Sequence, residues 1–475
     1  MNDGRRNLLR GLAFAGSGFL ANRRSEAQHE HHATTAEPAS DVPRQETAND
    51  AAFLPVATPD VPKLPYELDN GVKVFHLIAE PVKTEFLPGR PVDAWGYNGS
   101  IPGPTIEVVE GDRVRIIVDN HLPELTSMHW HGFEIPIEMD GVPGISQDPI
   151  LPGGRFVYEF TLHQKGTFFY HSHMPMQEMM GMIGLFIMHP RRAYRPRIDK
   201  DFGIILQEWA ILPNNTVPNT LSMEFNWLTL NGKSGPATTP LIVKQGDRVR
   251  IRLVNLGMDH HPMHLHGHQF YITGTEGGRV PETAWYPTNT ALVGVAQAKD
   301  IEFDAVYPGD WMFHCHLPHH MMNQMVSMVG PMTHLGSGMH SGLGMEEGMG
   351  IIRDAHALSE DLGPSMGRAI GLPNRERETT HLVGREGTSQ HQHAESQQAQ
   401  DPWRVPGYPQ DMWMTMDEMV QKPETHGLRP GWTGAMMGMM TLVRVLPEEM
   451  YEKVMALVRE GRSESPAPSP HRHRG

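Results

Sequence analysis

An internal repeat in the central part of the chain restricts the fold more than any other feature of the sequence. The hexapeptide Gly-Asp-Arg-Val-Arg-Ile occurs at 111–116 and again at 246–251. The segment 166–173 (GTFFYHSH) is matched further along by 309–316 (GDWMFHCH). Two related units are therefore present, at about 65–190 and 200–335.

The residue pattern inside both units is typical of β-structure. Val, Ile, Phe and Thr alternate with polar residues, as in 106–118 and 155–161, and Gly, Pro, Asp and Asn punctuate the runs. This pattern indicates short strands separated by turns, and helical periodicity is scarce. We therefore predict an all-β fold made of two β-sandwich units.

Composition excludes several classes of function. The net charge of −15 argues against a nucleic-acid partner, because phosphate binding needs a basic surface. No run reaches the roughly 18 apolar residues of a membrane-spanning helix, so we expect no membrane span. A single cysteine, Cys315, permits no disulfide within the chain. Met (32) and His (29) are unusually frequent, and thioether and imidazole together are ligands of copper.

Four His-x-His triplets lie within the repeat, two in each unit. In a strand, the first and third residues of such a triplet project from the same face, so both imidazoles point the same way. If the two faces meet, the eight imidazoles could surround several metal ions. The pairs are His129/His131, His171/His173, His264/His266 and His314/His316.

Cys315 occupies the centre of the fourth triplet and therefore points away from its two histidine neighbours. It can bind a separate metal ion on the other side of the strand. His261, His320 and Met325 lie nearby in the sequence. Two histidines, one cysteine and a weak axial methionine form a mononuclear blue-copper set.

These motifs resemble those of the multicopper oxidases, the laccase-like family built from cupredoxin (plastocyanin-like, Greek-key) domains. The resemblance covers about 96–330 and rests on four segments: His-Trp-His-Gly, His-Ser-His, His-Pro-Met-His-Leu-His-Gly-His, and His-Cys-His with its trailing His and Met. It implies four copper ions per chain, one of type 1, one of type 2 and two of type 3. The type 1 ligands it implies are His261, Cys315, His320 and Met325; the type 2 ligands are His129 and His264; the type 3 ligands are His131, His171, His173, His266, His314 and His316.

The first unit lacks a type 1 set. Counting along the repeat places Thr126, Ser172, Gln177 and Met182 at the positions of the four type 1 ligands. The chain therefore resembles two-domain members of the family that carry type 1 copper in the second domain only. The resemblance implies a homotrimer in which the first domain of one subunit meets the second domain of its neighbour.

The resemblance also implies a reaction: one-electron oxidation of a small reducing substrate, with electrons passing through Cys315, and four-electron reduction of dioxygen to water. Asp140, in Met139-Asp140-Gly141, matches the family's proton-relay acid, although Asp-Gly is also an ordinary turn signal. Met321 stands where many members have an acid, and Gln324 replaces the usual glycine before the axial methionine.

The electron donor is not fixed by the sequence. Relatives of this family use phenols, Mn(II) or Cu(I). Methionines crowd the region around the expected type 1 site, and thioether selects Cu(I), so Cu(I) is the favoured donor. The methionines concerned are Met321, Met322 and Met328; Met174, Met176, Met179, Met180 and Met182; Met412, Met414, Met416 and Met419; and Met436, Met437, Met439 and Met440.

The sequence predicts five successive segments, with the two domains flanked by segments at both termini. Residues 1–27, with Arg5-Arg6 before a weakly apolar stretch, resemble a twin-arginine export signal, which predicts a periplasmic or secreted protein. Residues 28–60 read as a flexible linker, 61–195 as the first domain and 196–335 as the second. Residues 336–475 read as a Met- and His-rich, partly disordered extension with a short helix starting at Pro447.

Two other functions fit part of this pattern. A copper nitrite reductase also has two cupredoxin domains, but it needs a type 2 copper with three histidines and no type 3 pair. A periplasmic copper-sequestering protein would use the Met- and His-rich tail to store metal. The four histidine pairs argue against the first alternative, and the intact ligand set argues against the second.

Overall fold

The structure is a computed structural model that describes residues 53–212, 215–322 and 416–464. The regular structure of the described part of the chain is mostly β-sheet with few helices, which confirms the predicted fold class. None of its helices is long and apolar enough to cross a bilayer. The residues assigned to the export signal and most of those assigned to the extension lie outside the described residues.

The first sandwich follows a short N-terminal arm and has one five-stranded and one four-stranded sheet. Its strands are Glu67–Asp69 (β1), Val72–Leu87 (β2), Arg90–Tyr97 (β3), Gly103–Val109 (β4), Arg113–Asn120 (β5), His129–His131 (β6), Arg155–Thr161 (β7), Gly166–His171 (β8) and Ile183–His189 (β9). The larger sheet has the order β1-β2-β5-β7 with β3 on β2, and the smaller has the order β4-β9-β8-β6.

The second sandwich repeats this plan with a seven-stranded and a five-stranded sheet. Its strands are Lys200–Trp209 (β10), Trp227–Leu230 (β11), Leu241–Lys244 (β12), Arg248–Asn255 (β13), His261–Leu265 (β14), Phe270–Thr275 (β15), Gly278–Arg279 (β16), Tyr286–Thr288 (β17), Thr290–Val293 (β18), Gln297–Asp304 (β19), Gly309–Cys315 (β20) and Met440–Leu446 (β21). The larger sheet has the order β11-β10-β13-β19-β15-β16 with β17 on β15, and the smaller has the order β12-β21-β20-β14-β18.

Strand β21 extends the second sandwich beyond the boundary at residue 335 that the sequence suggested. It pairs antiparallel with β20 on one side and parallel with β12 on the other. All seven of its residues are buried. A part of the predicted extension is therefore an interior strand of the second sandwich. No local pattern could reveal this, because the residues that pair with β21 are far away in the sequence.

Helices are short and peripheral, apart from the one predicted near the C-terminus. They are Pro175–Met179 (α1), Glu448–Glu464 (α2) and single 3-10 turns at Ile137–Met139, Glu282–Ala284, His320–Met322, Pro423–Thr425 and Trp432–Ala435. In α2, Val454 and Val458 are buried against Ile242 and Leu446 of the second sandwich. The predicted helix is thus present, and it packs on its own chain.

A buried group of charges joins the two sandwiches. Asp201 is fully buried and receives ion pairs from Arg250 (2.5 Å) and Arg252 (2.9 Å). Arg252 also donates to the hydroxyl of Thr167 in the first sandwich, and that hydroxyl donates to Asp300 in the second. Burial alone would raise the pKa of Asp201, but the two guanidiniums outweigh it and hold that pKa below its usual range.

This network predicts a large effect of Asp201→Asn on stability. The variant removes the nearest counter-charge of two buried guanidiniums, while Asp300 and Glu302 remain at 3.6 and 4.0 Å, which should lower the free energy of unfolding by about 3 kcal/mol. Asp119→Asn is the matched control, because Asp119 pairs with an exposed arginine, Arg155, and should cost under about 1 kcal/mol. Urea unfolding of both variants measures the difference. Equal losses would show that Asp201 does not hold the sandwiches together.

Candidate metal centre

Three potential ligands meet at one end of the second sandwich. His261 is the first residue of β14, Cys315 is the last residue of β20, and His320 follows on the loop after β20. The Nδ1 atoms of the two histidines lie 3.1 Å apart. The Cys315 Sγ atom lies 3.8 Å from Nδ1 of His261 and 3.4 Å from Nδ1 of His320. All three side chains are buried, so one sulfur and two imidazole nitrogens converge on one enclosed point.

Strand alternation explains why this set separates from the other histidines. Cys315 faces the core of the sandwich together with Phe313, whereas His314 faces the other side of the sheet. On β14, His261 and Met263 likewise face the core, and Met263 lies directly opposite Cys315. The pairing of β14 with β20 therefore brings the cysteine and the first histidine together on one face.

Burial changes the proton affinity of these ligands. It raises the pKa of the Cys315 thiol to about 12 and lowers the pKa of His320 to about 4. The imidazole of His320 is thus neutral at physiological pH, which is the form that binds metal. The thiol keeps its proton in the metal-free protein, and a bound cation would have to displace it.

Glu208 is a buried neighbour of this set that the sequence analysis missed. Its carboxylate lies 3.0 Å from Nε2 of His261, and it accepts backbone N–H groups from Met258 and Asp259. Gly257 makes room for it, since a Cβ there would overlap the carboxylate. The contact leaves Nδ1 of His261 directed at the other two ligands. Its sequence context, Leu-Gln-Glu-Trp, offers no sign of a histidine partner.

The first sandwich has a hydrogen-bonded polar cluster at the corresponding place. The hydroxyls of Thr126 and Ser172 each donate to Oε1 of Gln177 at 2.7 Å. Gln177 in turn donates to the carbonyl of Leu125. Met182 is buried nearby on the chain just before β9. The structure therefore brings together the residues that counting along the repeat had matched to the type 1 ligands, and their polar groups bond to one another.

Four histidines form a second group in the first sandwich. β6 carries His129 and His131 opposite β8, where His171 pairs with His129 across the strands. Nδ1 of His131 lies 3.2 Å from Nε2 of His171. The ring centres of His129 and His173 are 5.2 Å apart. Burial lowers the pKa of His131 to about 4, so this imidazole is also neutral at physiological pH.

The second sandwich has an equivalent group of four. Nε2 of His266 and Nε2 of His314 are 3.0 Å apart, and the rings of His264 and His316 are centred 5.3 Å apart. Burial lowers the pKa of His314 to about 4. His316 is exposed and His314 is buried, so the group opens towards the outside of this chain.

Backbone carbonyls orient these rings in the same way in both groups. Nδ1 of His129 lies 2.8 Å from the carbonyl oxygen of Asp140, and Nδ1 of His264 lies 2.7 Å from that of Asn289. An imidazole that donates through Nδ1 keeps Nε2 free as a ligand atom. His171 and His314 each have the carbonyl of the following residue 2.9 Å from Nδ1. The carboxylate of Asp140 is 3.5 Å from His129, and that of Glu178, another residue the sequence analysis missed, is 2.9 Å from His171.

Met325, the predicted axial ligand, lies outside the described residues, as do Met328, Met412 and Met414. Every predicted histidine ligand, Cys315 and Asp140 lie within the described residues. In that part of the chain, the histidine–histidine ring contacts of the eight paired residues lie within each group of four.

The donors present suit copper. A thiol and two imidazoles within 4.8 Å of one another are the strong ligands of a blue-copper site. The group of His129, His131 and His171 also meets this distance criterion, and it contains nitrogen donors alone. In the second sandwich, the sulfur-containing set and the histidine group around His264 and His314 lie on opposite faces of β14 and β20, which provides two chemically different copper environments.

The chain is similar to several known proteins. A copper resistance protein A homolog from Pseudomonas syringae pv. tomato is 41% identical over 124 residues, which are 26% of this chain and 21% of that protein. Laccase-2 of Botryotinia fuckeliana is 34% identical over 236 residues, covering 45% of this chain and 40% of that protein. The chain thus spans less than half the length of these curated relatives. A crystal structure of a blue copper oxidase from Nitrosomonas europaea shares 31% identity and a TM-score of 0.49, covering 53% of this chain and 81% of that one.

Family-level comparison matches both sandwiches separately. One model described as multicopper oxidase matches residues 79–193, and a second with the same description matches residues 211–331. The matched segments contain all eight paired histidines and the buried set around Cys315. The chain therefore belongs to the multicopper oxidase family.

Proposed function

We propose that this protein is an oxidase that takes single electrons from a small reducing donor and uses them in the four-electron reduction of dioxygen to water. The observation that carries the proposal is the position of Cys315. Its side chain belongs to the buried set with His261 and His320, while His314 and His316 on either side belong to the partly exposed group of four. Bound copper would supply the redox chemistry at both places.

Cys315 links the two environments through covalent bonds. One peptide unit joins it to His314 and another joins it to His316. The type 1 set of His261, Cys315 and His320 is buried, whereas the groups of four are partly exposed. In this proposal, electrons enter on the His320 side and pass along the backbone of Cys315. Dioxygen is reduced at the histidine groups.

The dioxygen site in this proposal is completed by a second copy of the chain. Each group of four is half of the eight-histidine set that a type 2 and type 3 centre requires, and the two halves make no ring contact within the described part of one chain. Large apolar side chains are exposed close to both halves: Ile137 and Ile145 follow β6, and Leu292 lies on β18 beside β14. A ring of three subunits would cover these side chains and bring opposite halves together.

Asp140 is the proposed proton relay of that site. Its carboxylate is partly exposed and lies 3.5 Å from Nδ1 of His129, while its backbone carbonyl holds the same nitrogen. The residue can therefore exchange protons with solvent at a position next to a proposed type 2 ligand.

The alternative functions explain fewer of these observations. A nitrite reductase of this fold needs three histidines at a type 2 site, and a second set of paired imidazoles would have no role. A storage protein does not need a thiol whose two neighbours belong to another metal group. The arrangement of Cys315 between His314 and His316 favours the oxidase.

Cu(I) is the donor that the surroundings of His320 favour. Met312 and Met321 are partly buried against Met436 and Met440. Met321 directly follows His320, so these thioethers lie beside the proposed point of electron entry. Thioether groups bind Cu(I) in preference to harder cations. The twin-arginine pattern of residues 1–27 supports an exported protein, which would meet such a donor outside the cytoplasm.

Replacing Cys315 by serine tests the oxidase directly. We expect the blue absorption and donor oxidation to be lost, and bound copper to fall by about one quarter, because the hydroxyl cannot replace the thiolate at type 1 copper. Ser172→Ala, at the matching position of the first sandwich, should remain blue. Absorption spectra and metal analysis decide; a blue Cys315→Ser protein would exclude this role for the thiol.

Subunit complementation tests the trimer. One variant loses the first-sandwich half through His129→Ala and His131→Ala, and the other loses the second-sandwich half through His264→Ala and His266→Ala. Each alone should be inactive, and co-expression should restore about one quarter of the clusters, since an intact half from each variant can then meet. Ultracentrifugation should show a trimer. Inactive mixed trimers, or a fully active monomer, would contradict a site shared between subunits.

The donor is tested with Met312→Leu combined with Met321→Leu. We expect kcat/KM for Cu(I) to fall about tenfold, equivalent to about 1.4 kcal/mol, with little change for a bulky phenol. Met419→Leu is the control, because Met419 is exposed and outside the thioether cluster. Deleting the methionine-rich residues 401–475 would not test the donor, because the deletion also removes the buried strand β21. Equal losses on both donors would leave Cu(I) without support.

A further inference from the structure

Blue-copper sites commonly have a weak axial ligand, and the structure contains a methionine in a better position for this than the motif predicts. Met439 directly precedes β21 and is fully buried in the same core cluster as Cys315. We propose that Met439, and not Met325, provides the axial thioether of the type 1 site. The inference rests on the proposed function, because it concerns the copper that this function requires.

Backbone hydrogen bonds tie Met439 to two of the other ligands. The N–H of Cys315 donates to the carbonyl of Met439 at 3.0 Å, and the N–H of Met439 donates to the carbonyl of His320 at 3.0 Å. Met439 therefore closes the loop that starts at Cys315 and carries His320. These bonds place the backbone of Met439 next to two of the three ligands.

Strand register places the Met439 side chain on the correct face. β20 and β21 are antiparallel with His314 opposite Met440, so the next pair along is Cys315 opposite Met439. Directly opposite residues in an antiparallel pair project from the same side of the sheet. Met439 thus shares the core side with Cys315, whereas Met440 belongs to the thioether cluster on the other side.

The first sandwich provides an independent comparison. There the N–H of Ser172 donates to the carbonyl of Met182, and the N–H of Met182 donates to the carbonyl of Gln177, both at 3.2 Å. Ser172 and Gln177 correspond to Cys315 and His320 in the repeat. In the second sandwich, Met439 makes the same two backbone hydrogen bonds, one with Cys315 and one with His320. Met439 is therefore the structural counterpart of Met182. Counting along the sequence had matched Met182 to Met325.

Sheet order leads to the same correspondence. Met182 directly precedes β9, which lies between β4 and β8, and Met439 directly precedes β21, which lies between β12 and β20. β9 runs parallel to β4 and antiparallel to β8. In the same way, β21 runs parallel to β12 and antiparallel to β20. β21 is therefore the equivalent of β9. In the first sandwich this strand follows Ser172 closely, whereas residues 321–438 intervene in the second.

The residue before Met439 also matches its counterpart in the first sandwich. Gly438 has φ of +62°, and a Cβ at this position would overlap the carbonyl oxygen of His320. Only glycine allows the chain to approach the His320 loop so closely. Its counterpart before Met182 is Gly181, which also has a positive φ, +110°. The sequence has Gln324 before Met325.

Met263 is the competing thioether, because it lies opposite Cys315 on β14 and is equally buried. It occupies the interior of β14 between two paired strands, β18 and β20. Met439 lies instead at the end of its strand and is hydrogen-bonded to the His320 loop. Met263→Leu is therefore the matched control for the loss of a buried methionine next to the cysteine.

The experiment compares copper-loaded full-length proteins carrying Met439→Leu, Met439→Gln, Met325→Leu and Met263→Leu. The axial ligand tunes the reduction potential of a blue-copper site. We expect Met439→Leu to raise the potential of the blue copper and Met439→Gln to lower it, with altered visible and electron paramagnetic resonance spectra in both. Met325→Leu and Met263→Leu should retain the wild-type potential and spectra. Thermal unfolding of the metal-free variants separates a ligand effect from a packing effect.

The outcomes separate the inference from the function on which it rests. A shift with Met325→Leu or Met263→Leu, and none with either Met439 variant, would overturn the assignment and leave the oxidase intact. A wild-type protein without a blue site would overturn both. If Met439→Leu fails to fold, Met439→Gln still decides the question, because its polar side chain can coordinate and should lower the potential.

Discussion

The metal chemistry of this protein depends on a pair of hydrogen-bonded strands on either side of β20. Because β14 and β21 hold β20 from both edges, its side chains alternate strictly between two faces. Cys315 is thereby fixed towards the core, and His314 towards the opposite side. One strand can serve two metal environments only while both neighbours keep it flat and in register. The functional proposals all require this arrangement.

Much of this arrangement could be predicted from the sequence. The repeat and the alternating residues gave two sandwiches, and the His-x-His spacing gave the two faces, because both follow from the two-residue period of a strand. Glu208 could not be predicted, since its contact with His261 depends on how β10 and β14 come together. β21 could not be predicted either. Its apolar residues indicate a strand, but a pairing with β20 across a long intervening segment leaves no local pattern.

The axial position illustrates the limit of counting residues. Met325 has the spacing expected of a continuous motif, whereas Met439 has the hydrogen bonds and the preceding glycine that the first sandwich shows at Met182. Spacing is a good guide only while the loop between ligands keeps its length. The internal repeat removes this dependence, because it provides a second copy of the same backbone arrangement within one chain.

The late position of β21 in the chain has a consequence for biosynthesis. During translation, β12 and β20 are complete long before their shared neighbour has been made, so both present an unpaired edge in the meantime. Exposed strand edges favour association with other chains. A polypeptide released before residue 446 would keep these edges and lack the strand that closes the Cys315 loop. Synthesis as far as β21 is thus a precondition for a folded second sandwich, because the segment leading into β21 is hydrogen-bonded to both ends of the loop that carries the proposed copper ligands.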